Sequence, residues 1–114
     1  MPYIELSGLG EREVVPGFIG KFLHTDRMTV SVWKVTSGSR LPPHSHPHEQ
    51  VTIVVKGKLE MNLEGSVKVL EPGIVASIPP DAEHSGRALS DCDVIDVFSP
   101  VREDYRMKRG EPTR

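Results

Sequence analysis

The sequence predicts an all-β domain, a barrel or a sandwich, on two observations. The 114-residue chain contains ten glycines and ten prolines, which divide it into short segments at the spacing of about eight to twelve residues that is typical of small all-β folds. Between these breaks, apolar and polar residues alternate with the two-residue period of a half-buried antiparallel strand. No segment has a clear helical period. A chain of this length forms one domain with one core.

Each strand is predicted from the same alternation. The clearest case is residues 58–64, KLEMNLE, in which Leu59, Met61 and Leu63 share one face. Two further segments, MTVSVWKV and VTIVVK, are rich in the β-branched residues that favour strands. The other predicted elements are an early strand FIGKFL, a tight connection at Gly57, a hairpin around Gly65, two strands VKVL and IVASI joined by a Pro-Gly turn, and a last core strand CDVIDVFS ended by Pro100.

The charge distribution argues against a nucleic-acid or membrane-surface function. Fourteen basic and sixteen acidic residues are mixed along the chain, whereas such partners require a basic patch. The short basic cluster of Arg106, Lys108 and Arg109 lies in a polar tail, which begins at about residue 106 and is expected to be solvated and mobile. No apolar run approaches the ~20 residues of a membrane span.

The chain is expected to be cytoplasmic. Its first ten residues have neither the basic nor the apolar region of a signal peptide. The single cysteine, Cys92, excludes an internal disulfide and fits a reducing compartment. Since Cys92 lies beside an apolar run, we interpret it as a buried thiol without a chemical function.

Three of the five histidines lie in the segment PPHSHPHEQ. His44 and His46 are two residues apart, so in an extended chain both imidazoles project from the same face. Neutral imidazole suits Zn, Ni, Fe, Mn or Cu. A bend at Pro47 would return Gln50 to the same point, and His84, which follows a predicted strand and a proline turn, is the candidate fourth ligand. Two surface histidines without a metal are the alternative interpretation.

The remaining two histidines are less suited to such a site. His48 lies beyond Pro47 and is expected to face solvent, although a ligand role for it stays open. His24 is expected in a surface loop.

A second group of candidate site residues lies in DVIDVFSPVREDY. Val94, Asp96 and Phe98 share one face of the last strand. Burying a carboxylate costs free energy unless the group is paired or has a function. Asp96 is therefore a candidate functional residue. Arg102 follows beyond Pro100 and could bind an anion in a bidentate way at the barrel mouth. A structural Asp96–Arg102 ion pair, or an Arg102 in solvent, is the alternative.

Two segments resemble the cupin motifs. Residues 38–57 match G-x5-H-x-H-x3-E-x6-G with Gln50 in place of Glu, and residues 73–84 match G-x5-P-x-G-x2-H with Asp81 in place of Gly. The resemblance implies a small jelly-roll, double-stranded β-barrel. It also implies that four side chains bind one divalent cation, Ni, Zn, Mn or Fe, inside the barrel: His44, His46, Gln50 and His84.

The run IPPDAEHSGRALSDCDVIDVFSPVREDY, together with HSHPHEQ, resembles the pectin-degradation cupins of the KdgF type, from about Val14 to Tyr105. These proteins convert 4,5-unsaturated uronate monosaccharides, which lyases release from pectin or alginate, to the linear keto form. The resemblance implies that Asp96 and Arg102 are the catalytic pair. It also implies that Phe98 is an active-site aromatic residue and that Arg102 clamps the substrate carboxylate.

Two other functions are weighed against this enzyme. A cupin that binds a small acid or sugar without turnover has less need of a buried proton-transfer group such as Asp96. A metal-dependent dioxygenase is disfavoured by the neutral amide of Gln50, which does less than a carboxylate to stabilise a higher oxidation state of the metal.

We expect a homodimer in which the apolar N-terminal strands cover exposed sheet edges.

Overall fold

The computed structural model describes residues 3–107, so Lys108, Arg109 and the predicted mobile tail beyond Met107 lie outside the described residues. Within this range no helix has both the length and the apolar character needed to cross a membrane. A 3₁₀ turn at Leu6–Gly8 precedes ten strands and one short helix. These are β1 (Arg12–Val15), β2 (Phe18–His24), β3 (Thr29–Val35), β4 (Arg40–His44), β5 (Glu49–Lys56), β6 (Leu59–Leu63), β7 (Ser66–Leu70), β8 (Val75–Ile78), β9 (His84–Ala88), β10 (Cys92–Ser99) and α1 (Glu103–Met107).

The strands form two sheets with antiparallel pairing throughout. The larger sheet has the order β1-β2-β3-β10-β5-β8, and the smaller has the order β4-β9-β6-β7. Their inner faces share one apolar core, to which β6 contributes Leu59 and Met61, and β10 contributes Val94. The predicted all-β, double-sheet barrel is confirmed.

Strand β10 occupies the middle of the larger sheet, between β3 and β5. Cys92, Val94, Asp96 and Phe98 are buried, while the residues between them are only half-buried. The register puts Asp96 opposite Ser31 on β3 and opposite Thr52 on β5. Because side chains alternate across a strand, the predicted common face of β10 is the one that faces the barrel interior.

Strands β1, β4 and β9 and helix α1 were not predicted from the sequence. Strand β4 contains two prolines, which cannot donate to a hydrogen-bond ladder, and it lies at a sheet edge where this loss is tolerated. Strand β9 reads HSGRA and lacks apolar alternation. Helix α1 has five residues, too few to display a 3.6-residue period, so the sequence pattern did not indicate it.

His24 does not lie in a loop, as expected, but ends strand β2. It is half-buried, stacks on Phe22, and its Nδ1 is 2.8 Å from Thr29 Oγ1. The prediction that Cys92 is buried is confirmed, since its side chain is 3% exposed.

The connection between β5 and β6 depends on Gly57, which has a positive φ of 91°. A Cβ at this position would overlap the carbonyl oxygen of Asp91. Gly38 is a matched control, because its φ is 86° but a Cβ there would meet no atom within 4 Å.

We expect Gly38→Ala to cost about 1–2 kcal/mol, the penalty for a side chain in left-handed backbone. Gly57→Ala should cost about 1–3 kcal/mol more, because the backbone must shift to admit the methyl group. Urea unfolding of both variants measures the two free energies. Equal losses would contradict the close packing of this turn.

A histidine cluster and its cavity

Three of the predicted ligand residues converge at one end of the barrel. His44 ends β4, His84 begins β9, and the two residues are paired in register, with ring centroids 4.2 Å apart. His46 lies in the loop after β4, and its ring is 5.1 Å from that of His84. One nitrogen from each ring lies within 4.8 Å of the other two. The structure therefore brings together His44, His46 and His84.

Backbone carbonyls fix the tautomer of each ring. Since a carbonyl oxygen only accepts hydrogen bonds, each Nδ1 that contacts one carries the proton, and each Nε2 keeps its lone pair. Such contacts orient metal-binding imidazoles in proteins. The three bonds are His44 Nδ1 to Pro42 O at 2.8 Å, His46 Nδ1 to His48 O at 3.1 Å and His84 Nδ1 to Ala82 O at 2.9 Å.

The environment favours the neutral form of two of these imidazoles, His46 and His84. Burial, with the nearby charge of Arg102, lowers the pKa of His46 to about 4. Burial also lowers the pKa of His84. The Nε2 atom of His84 is buried and has no hydrogen-bond partner among the described residues. A neutral imidazole with an unused lone pair is the form that binds a metal.

Gln50 completes the cluster through its amide. Its Nε2 donates to Thr52 Oγ1 at 2.9 Å and to Asp96 Oδ1 at 3.2 Å. Its Oε1 therefore faces the histidines, 3.0 Å from His46 Nε2. Both facing atoms are acceptors, an arrangement that a cation between them would stabilise. The donor set, three imidazole nitrogens and one amide oxygen, thus fits a divalent transition metal.

Asp96 lies directly behind this cluster and accepts hydrogen bonds on both carboxylate oxygens. Besides the Gln50 amide, Thr52 Oγ1 donates to Oδ1 at 2.6 Å, and Trp33 Nε1 donates to Oδ2 at 3.0 Å. Burial raises the pKa of Asp96, while the three hydrogen bonds act in the opposite direction. Asp96 is thus a buried carboxyl group with fixed geometry.

Arg102 lies in the wall of the same cavity and is only 8% exposed. Its guanidinium binds Asp104 through two contacts, Nε to Oδ1 at 2.9 Å and Nη2 to Oδ2 at 2.7 Å. It also stacks over the rings of Phe98 and Tyr105, at 4.7 Å and 4.1 Å from their centroids. Both alternatives from the sequence were wrong, because Arg102 is neither in solvent nor ion-paired with Asp96.

A cavity that is partly open to solvent lies between the two sheets. Its polar wall contains the candidate residues His44, Gln50, His84, Asp96 and Arg102, with Phe98 beside them. The rest of its lining is mainly apolar and includes Leu59, Met61 and Val94. His48 is half-buried rather than solvent-facing, and its ring packs on His46 at 5.4 Å. Among the described residues it does not belong to the three-histidine cluster.

Four residues of the site were missed by sequence reasoning. Thr52 and Trp33 donate to Asp96, Asp104 binds Arg102, and Tyr105 covers the Arg102 guanidinium. Because of the two-residue period of β5, Thr52 lies on the same face as Gln50. This spacing could have identified Thr52 as a site residue from the sequence. The pairing of β3 and β5 with β10, which brings Trp33 and Thr52 to Asp96, is not visible in the sequence.

Comparison with known proteins gives a family match and several relatives. The model of the Cupin domain family matches residues 31–98. Over 97 residues the chain is 33% identical to quercetin 2,3-dioxygenase of Bacillus subtilis, covering 79% of this chain and 28% of that protein. Over 65 residues it is 34% identical to the pectin degradation protein KdgF of Dickeya dadantii, covering 55% and 59% of the two chains. The chain thus spans less than two thirds of either relative.

Solved structures match over nearly the whole chain. KdgF from Halomonas sp. superposes with a TM-score of 0.85 at 33% identity, covering 92% of this chain and 98% of the other. An RmlC-like cupin from Shewanella frigidimarina gives a TM-score of 0.86 at 26% identity, covering 92% and 96%. The family match, the similarity to KdgF and the double-sheet barrel agree with one another, so the chain belongs to the cupin family.

Proposed function

We propose that this protein is a metal-dependent enzyme that converts 4,5-unsaturated uronate monosaccharides, products of pectin or alginate lyases, to the linear keto form. The observation that carries the proposal is that one cavity is lined by two members of a three-histidine cluster, a buried carboxyl group and a buried guanidinium. The similarity to two KdgF proteins, one of them named for pectin degradation, supports this substrate class.

The metal ligands in this proposal are the Nε2 atoms of His44, His46 and His84 and the Oε1 atom of Gln50. Ni, Zn, Mn and Fe all suit such a donor set. When bound, the cation supplies Lewis-acid polarisation of a substrate oxygen. Because the Gln50 amide is neutral, it leaves more of the cation's positive charge uncompensated than a carboxylate would.

Arg102 is the proposed binding site for the substrate carboxylate. Of the five N–H donors of a guanidinium, Asp104 accepts one from Nε and one from Nη2. Stacking on Phe98 and Tyr105 restricts the plane of the group. A guanidinium fixed in this way loses little conformational entropy when it binds an anion.

Asp96 is the proposed proton-transfer group. In the hydration step, a proton is added to C4 of the double bond and the oxygen of a water molecule is added to C5. The resulting hemiketal then opens by cleavage of the bond between C5 and the ring oxygen. C5 becomes the ketone and keeps the oxygen of the added water, while C1 is left with two hydroxyl groups. This aldehyde hydrate loses one water molecule from C1 to give the aldehyde, so the product is an isomer of the substrate. General acid–base catalysis contributes about 10²- to 10⁴-fold to such a reaction.

A homodimer is also proposed, with the N-terminal strands at the contact. Strand β1 is an edge strand of the larger sheet, and such edges carry unpaired backbone groups.

The primary test follows the ultraviolet absorbance of the conjugated enol ether in a lyase-generated unsaturated uronate monomer. With metal-loaded protein the band should disappear faster than its spontaneous rate, and a chelator should abolish the acceleration. A rate equal to the spontaneous one would contradict the proposed reaction. In that case, binding of a sugar acid without turnover would become the better account.

Asp96→Asn should reduce turnover by about 10²- to 10⁴-fold, because the proton-transfer group is lost. Metal content should be unchanged, since the asparagine side chain can still accept a hydrogen bond from the Gln50 amide. The assay is the same absorbance measurement, with metal analysis of the purified variant. Full activity in Asp96→Asn would rule out the role assigned to this residue.

His84→Ala should remove the metal, because it deletes one of three converging nitrogens. Metal analysis after dialysis measures the loss, and His24→Ala is the control, since His24 contacts Thr29 rather than the cluster. Retention of a full metal equivalent in His84→Ala would contradict the assigned ligands.

A dioxygenase is the second candidate, supported by the similarity to quercetin 2,3-dioxygenase and by the apolar cavity wall. An oxygen electrode distinguishes the two reactions, because linearisation of the uronate consumes no dioxygen. Oxygen uptake with a flavonol substrate and no effect on the uronate would favour the dioxygenase.

A further inference from the structure

The amide group of Gln50 has a hydrogen-bond donor, Nε2, and an acceptor, Oε1, and the two atoms have different neighbours. Its amide nitrogen contacts Thr52 Oγ1 and Asp96 Oδ1, while its oxygen faces His46. If the amide were rotated by 180°, its NH₂ group would donate to the lone pair of His46 Nε2. Its carbonyl oxygen would then face the acceptor atoms of Asp96. The rotated amide would therefore block the cluster and leave two acceptors in contact.

Thr52 connects the two groups that fix this orientation. Its hydroxyl hydrogen is used in the 2.6 Å bond to Asp96 Oδ1, which leaves its oxygen to accept from Gln50 at 2.9 Å. Thr52 is 1% exposed, so water does not replace these contacts. The register of β5 and β10 puts Thr52 directly opposite Asp96. The two hydrogen bonds therefore follow from strand pairing.

We propose that Thr52 is a positioning residue of the metal centre. With Asp96 it holds the Gln50 amide so that Oε1, and not the NH₂ group, faces the three histidines. This inference rests on the metal centre of the proposed function but not on the uronate reaction. It assigns to Thr52 a role that neither the cupin motif nor the histidine spacing indicates.

Ser31 provides a matched control. It lies opposite Asp96 on the other neighbouring strand, β3, and is fully buried. Its Oγ has no hydrogen-bond partner among the described residues. Ser31 and Thr52 are thus both buried hydroxyls beside Asp96, but of the two only Thr52 forms hydrogen bonds with Asp96 and Gln50.

The experiment measures the affinities of the metal-free protein for Zn²⁺ and Ni²⁺ by competition with a chromophoric chelator. Thr52→Val keeps the shape of the side chain and removes the hydroxyl. We expect its metal affinity to fall by about 10- to 100-fold, the usual effect of losing a group that orients a ligand. Thr52→Ser should restore the affinity to within about threefold, and Ser31→Ala should leave it unchanged.

Wild-type affinity in a folded Thr52→Val would overturn the proposal, and so would an equal loss in Ser31→Ala. If Thr52→Val does not fold, Thr52→Ala and Thr52→Ser are compared, and only the alanine variant should lose affinity. A wild-type protein that binds neither metal would overturn the proposal as well. Tight metal binding without any effect on the uronate would contradict the proposed reaction alone.

Discussion

The buried carboxyl group of Asp96 is the constraint on which the interior of the barrel depends. A carboxylate in an apolar interior is stable only when donors surround it, and here Trp33, Thr52 and Gln50 supply them from two neighbouring strands. These contacts place an indole, a hydroxyl and an amide at fixed positions behind the histidine cluster. The same amide turns its oxygen toward His46. One buried carboxyl group thus links the core of the larger sheet to the histidine cluster.

A second interaction network fixes the position of Arg102 in the cavity wall. Strand β10 ends at Ser99, and the chain then turns into α1, which carries Asp104 and Tyr105. Asp104 binds Arg102, and Tyr105 stacks on the Arg102 guanidinium. The short helix has little stability of its own, so these contacts hold it against the barrel. The Arg102 guanidinium, which we propose binds the substrate carboxylate, is therefore already oriented in the absence of a ligand.

Much of the fold was predictable because the core strands alternate cleanly. CDVIDVFS corresponds residue for residue to β10, and Val94, Asp96 and Phe98 share the buried face. Strands β4 and β9, which carry His44 and His84, were not predicted. Their proline, glycine and polar residues do not form the apolar–polar alternation that indicates a strand. The convergence of the histidines was predictable from spacing and motif. The partners of Asp96 and Arg102 were not, because strand register and a five-residue helix determine them.

The central claim is that His44, His46, His84 and Gln50 hold one cation. Anomalous diffraction at the metal absorption edge, from crystals grown with Zn²⁺ or Ni²⁺, tests it most directly. A single strong peak is expected about 2.0–2.1 Å from each histidine Nε2, with Gln50 Oε1 as the fourth ligand and the Gln50 amide nitrogen still bonded to Thr52 and Asp96. A peak elsewhere on the chain, or a peak at this site with the Gln50 amide turned away, would contradict it.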